Sequence, residues 1–152
     1  METPAFTPIK TFLKGVVFES PNTPDLFFNA DSVANLEISI DVQSGVAEGT
    51  SLYLVELHMN LSPKINEKLV FNLKLIYSTL VEIIDNDMDD ETRKYILTVV
   101  VPQSMYNPLR SLVWDLTSAS GFPPIMMNDY NFANNQANNE FIPFEFYFYV
   151  FT

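Results

Sequence analysis

The sequence holds a single histidine, His58, two residues after Glu56 in the stretch LYLVELHMNL. An imidazole beside a carboxylate is how a general base and the group that orients it are arranged. Both residues fall on the polar side of an alternating run, where a solvated surface pair is expected. Asp85, Asp87 and Asp89 copy the opening of a calcium-binding loop. That loop next needs a glycine, where Asp90 stands, and a bidentate acid at its twelfth position, where Ile96 stands. These acids are expected to cap a helix or face water. The chain has no cysteine and only four glycines. It contains no nucleophile elbow, phosphate-cradling loop or H-E-x-x-H helix. No catalytic residue, metal ligand or cofactor is assigned, and the expectation is a protein that works through its surfaces, not an enzyme.

Composition narrows those surfaces. The net charge of −11 would repel a phosphate backbone, so no nucleic-acid partner is expected. It suits attraction of basic, unfolded segments at low salt. With 152 residues, 47% of them hydrophobic, the chain is long enough for one proper core. No apolar run approaches the roughly 20 residues of a membrane-spanning helix, so stable membrane insertion is not expected. METPAFTPIKTF lacks the pattern of a secretory leader, and the cytoplasm is the expected location.

The elements that would carry such surfaces are legible in part. Residues 36–42 and 51–61 alternate cleanly and read as half-buried strands, with 43–49 as the loop between them. In 69–84, LVFNLKLIYSTLVEII, the odd-numbered side is Leu69, Phe71, Leu73, Leu75, Tyr77, Thr79, Val81 and Ile83. As one strand it would run on the order of 50 Å. That is more apolar surface than one helix and three shorter strands are expected to cover, which calls for another chain or an apolar guest. Residues 9–19 fit helical spacing, yet Gly15 and the pair Val16, Val17 favour a strand. Residues 95–101 stay open between strand and helix. After Pro102, Ser104 is expected to cap an amphipathic helix carrying Met105, Leu109, Leu112, Val113 and Leu116, with Pro108 near its first turn, Trp114 in its core and Gly121 as its stop. NFANNQANNE and the aromatic FIPFEFYFYVFT close the sequence.

Taken together, the local sequences resemble the SecB protein-export chaperones. FESPNTPDLF resembles the stretch after that family's first strand, LYLVELHMNL its third strand, and LVFNLKLIYSTLVEI its fourth. PQSMYNPLRSLVWDLTSASGFPPIMMNDYNF resembles its proline-started helix and the glycine–phenylalanine–proline exit. The resemblance spans about residues 9–132. It divides the chain into a chaperone domain, 1–132, and an atypical Asn-rich then aromatic tail, 133–152. It implies an α+β fold: a four-stranded antiparallel sheet with a long amphipathic helix, and room for a second, packed on one face. Residues 9–19 then become a strand and 95–101 part of a helix.

The resemblance further implies an ATP-independent holdase that keeps unfolded precursor proteins competent for export through SecA, assembled as a homotetramer, a dimer of dimers. Phe27, Phe28, Phe71, Leu73, Leu75 and Tyr77 are the expected client-binding and oligomer residues, and Glu19 is the expected SecA-facing acid. Gly15, Asn72 and Lys74 stand where the family usually has an acid, an apolar residue and an acid, and the sequence has no cysteine-bearing zinc segment. Docking of SecA is therefore expected to be weak or to use other contacts. A second implied reading is a chaperone dedicated to one partner, such as the antitoxin of a toxin–antitoxin pair. Residues 141–151 read either as a built-in pseudo-substrate in the client groove or as a disordered end.

Overall fold

The structure is a computed structural model that describes residues 6–28, 34–47 and 50–134, and the backbone of 141–143. Six strands form one antiparallel sheet: β1 Thr7–Glu19, β2 Asn35–Val46, β3 Leu52–Ile65, β4 Lys68–Leu69, β5 Asn72–Glu82 and β6 Phe141–Pro143. Four of these are long. Their order across the sheet is β1-β5-β3-β2-β6, and the short β4 folds back onto β3. The helical layer is α1 Asp90–Tyr95, one wide π-turn Ile96–Val100, and α2 Val101–Ser118. No helix among the described residues is long and apolar enough to cross a membrane.

Period-two patterning builds one face. Leu36, Ile38 and Ile40 of β2, Val55, Leu57, Met59 and Leu61 of β3, and Leu73, Leu75 and Val81 of β5 are all buried. Against them pack Ile96, Leu97 and Val99 of the π-turn and Val101, Met105, Leu109 and Val113 of α2. Residues 119–134 then run back along α2 as an extended strap that buries Phe122, Ile125, Met127, Tyr130 and Phe132. Polar bonds tie strap to helix. Gln103 donates to the Tyr130 carbonyl, Arg110 to the Met127 carbonyl and the Asp129 carboxylate, and Tyr106 to the Asn128 carbonyl. Burial pushes the Tyr106 hydroxyl up to about 12, so it stays a donor throughout the neutral range.

Several sequence expectations change here. Residues 69–84 are not one strand. Asn66 and Glu67, both at positive φ, make a tight turn between β3 and β4, and the chain breaks again at Val70–Phe71 before β5 begins. The predicted excess of apolar surface on this side is absent. Phe71, Leu73, Leu75, Thr79, Val81 and Ile83 are only 0–4% exposed, because the chain's own helical layer covers them. The helical layer starts earlier than expected, with Asp89 rather than Ser104 as its cap: the Asp89 carboxylate accepts from the Thr92 amide. Pro102 and Pro108 both lie inside the helical run. A proline ring collides with the carbonyl four residues earlier. For Pro102 that carbonyl belongs to Thr98, within the π-turn, where the wider winding relieves the clash. Trp114 is not core; it lies 41% exposed on α2. The helix ends earlier than Gly121: Ala119 is its C-cap, and Gly121, expected as the residue directly after the cap, follows two positions later at a φ of 89°.

Candidate binding surfaces

Strand β1 is the anomaly of the molecule. It pairs antiparallel with β5, from Thr7 opposite Glu82 to Glu19 opposite Asn72, and its other edge is unpaired among the described residues. Residues directly opposite on paired strands share a face. Leu13, Val16 and Phe18 oppose Tyr77, Leu75 and Leu73 on the helix-covered face, while Phe12 and Val17 oppose Ser78 and Lys74 on the outer one. Phe12, Leu13, Val16, Val17 and Phe18 are each 37–49% exposed. An edge strand with free backbone groups and apolar side chains on both faces invites pairing by another chain. The signal was present in the sequence: the adjacent pairs Phe12, Leu13 and Val16, Val17 put apolar residues at both parities.

A polar network pins this strand from outside. A register shift between Leu13 and Gly15 frees Lys14 from the alternation. Its Nζ reaches across β5 to Glu56 Oε2 on β3 at 2.8 Å. Ser78 Oγ on β5 donates to the same oxygen at 3.0 Å, and His58 Nε2 lies 3.3 Å from Glu56 Oε1. Glu56 is buried, so the pair with His58 is part of a four-residue network and not the solvated surface pair expected. Lys14, with Ser78 and His58, holds the Glu56 carboxyl below the ordinary glutamate range against the opposing effect of burial. Gly15, Glu19, Asn72 and Lys74 lie on this same outer face by register, with Glu19 and Lys74 exposed. Among the described residues no group of three or more His, Cys, Asp or Glu is placed to hold a metal ion. In particular Asp85 accepts from the Asp87 amide and Asp89 caps α1.

The remaining expected site residues separate. Phe71, Leu73 and Leu75 are core and present no surface, since the layer over β5 is closed. Tyr77 is half-buried and lines a cleft of about 290 Å³ between β1 and α2, with Phe6, Pro8, Thr11, Met105 and Pro108. Phe27 and Phe28 end a short 3₁₀ turn, Asp25–Phe28. The Phe27 ring packs on that of Phe122 at 4.7 Å between centroids, and Phe28 stands 77% exposed. Sequence reading missed a further apolar patch on the far side of α2, where Trp114 and Met126 are exposed beside Arg110 and Met127.

Open strand edges, a cleft beside the helix and exposed aromatics lie on a two-layer α+β frame. The model of the preprotein translocase subunit SecB family matches residues 1–139, and the chain belongs to the SecB family of protein-export chaperones. Relatives include protein-export protein SecB 1 of Polaromonas naphthalenivorans, 30% identical over 85% of this chain and 81% of that one. Another is protein-export protein SecB of a second Polaromonas strain, 31% identical over 85% and 83%. Among solved structures, a SecB-like chaperone of Mycobacterium tuberculosis, in complex with a ChAD peptide from the HigA1 antitoxin, matches with a TM-score of 0.70 at 14% identity. That match covers 83% of this chain and 91% of the other, and at this identity it speaks for the fold alone.

Proposed function

We propose that this chain is an ATP-independent holdase of the cytoplasm, which binds unfolded precursor proteins and keeps them open for export through SecA. The observation that carries the reading is β1: in a member of this family, an edge strand apolar on both faces is surface built to be covered. Pairing of β1 with β1 of a second copy would continue the sheet and shield both faces, and the exposed α2 patch around Trp114 offers a second contact for a dimer of dimers. Clients then meet Phe27, Phe28 and the Tyr77 cleft, where affinity rests on apolar area and selectivity is low. On the outer face Glu19 is the acid left for SecA, and Lys74 weakens that contact.

The second reading, a chaperone dedicated to one partner such as an antitoxin, draws on the peptide complex of the structural neighbour. The export relatives at 30% and 31% identity favour the first. Aggregation assays with several unrelated unfolded proteins separate the two. Suppression of all of them supports the general holdase, and suppression of none overturns it.

A further inference from the structure

One strand of the sheet comes from far away in sequence. β6, Phe141–Pro143, lies antiparallel on the outer edge of β2, with Phe141 opposite Ser39, Ile142 opposite Ile38 and Pro143 opposite Glu37. It covers only three positions of that edge. Past Pro143 the ladder has little room, since β2 begins at Asn35, two residues before Glu37. Residues 40–46 of β2 remain without a partner on that side among the described residues. The direction of β6 sets how a longer occupant would lie: its preceding residues would run along Ile40 to Val46.

The sequence of this occupant matters. Phe141, Ile142 and Pro143 open the block FIPFEFYFYVFT, which holds a single charged residue in an otherwise acidic chain. An aromatic, nearly uncharged sequence whose opening residues lie extended in β6 is what a holdase of unfolded proteins would take, by main-chain pairing along an edge with little demand on side chains. We infer that the β2 edge is a docking site for extended apolar segments of unfolded chains, and that the protein's own β6 is its resident occupant, displaced when a client binds. This rests on the holdase reading. Such an arrangement lowers apparent client affinity by the fraction of time the edge is free. It also covers an edge that would otherwise pair unselectively with other chains.

The test uses the full-length protein and a permanently unfolded client, reduced and carboxymethylated lactalbumin. Ile142→Pro removes the middle amide of β6 while leaving every residue of the helix-covered core in place. The variant is expected to bind the client about tenfold more tightly, as expected when a competing state is removed, with an unchanged melting curve. In the unaltered protein, hydrogen exchange should show the Ile142 amide, which faces β2, losing protection on saturation with client, while amides of β2 keep or gain it. Equal affinities, or an Ile142 amide that stays protected in the client complex, overturn the inference while leaving the holdase intact. Weaker binding by Ile142→Pro also overturns it, by making β6 part of the client surface. Failure of both proteins to bind any unfolded client removes the holdase reading, and this inference with it.

Discussion

Glu56 shows how one side chain can be misjudged from its neighbours in sequence. Its spacing from His58 was legible; its burial was not, because the group that stabilises it, Lys14, sits 42 residues away and reaches it through a local bulge. The network makes a signed prediction. A carboxyl whose folded pKa is lowered stabilises the fold above its unfolded pKa, and that contribution is lost as pH falls through the folded value. Denaturant titrations should therefore show stability falling on the acid side of the ordinary glutamate pKa of about 4.3. Glu56→Gln should flatten that limb while costing about 1–2 kcal/mol near neutrality, where it loses its charge-assisted bond to Lys14. An unaltered acid limb would show that Lys14 and Ser78 do not favour the charged form. Gly121 gives a second test. Its positive φ strains any L side chain, and an added Cβ would stand 2.8 Å from the Phe27 ring. Gly121→Ala should lower stability by about 1–2 kcal/mol in a thermal or denaturant melt, and its near-neutrality would mean the turn can relax.

At the scale of elements, alternation revealed β2 and β3 because one face of each is wet and the other dry. β1 was ambiguous because both its faces are apolar, and period-two patterning disappears when there is nothing to alternate. Residues 95–101 were undecided for a related reason: β-branched Val99, Val100 and Val101 carry strand propensity, but Asp89 caps a helix that runs through them. Tertiary burial of Ile96, Leu97 and Val99 then outweighs their intrinsic preference. The length of β5 was overestimated because Leu69 belongs to β4 and the chain breaks at Val70–Phe71, buried apolar residues whose types give no sign of a break. The same exposed edge yields a dynamic prediction. At dilution low enough to dissociate the protein, alternate amides of β1 that face away from β5 should exchange within seconds. At working concentration they should be protected if β1 pairs with a sister strand. Fast exchange under both conditions would exclude that pairing.

For the whole molecule, the expectation that one subunit cannot hide its own apolar surface survives only in a changed place. The face of β5 is closed by the chain's own helical layer, and the uncovered surface lies on β1 and around Trp114. Under the proposed dimer of dimers, the 17.4 kDa chain should elute and scatter light as a species of about 70 kDa, four times its mass. Val17→Lys, at an exposed position, should leave the subunit's melt nearly unchanged. It should shift the assembly toward smaller species by burying an unpaired charge at the new interface. A monomer in the unaltered protein at micromolar concentration would contradict the assembly.

The register of β1 carries a consequence for how the chain comes off the ribosome. Thr7 pairs with Glu82, and β5 is the only described partner of β1. The first strand to emerge therefore waits until more than half the polypeptide has been synthesised before anything can shelter it. During that interval the nascent chain offers the same kind of greasy, extended segment that the proposed holdase would receive from others, and under that reading an older copy nearby would meet its own successor as a guest.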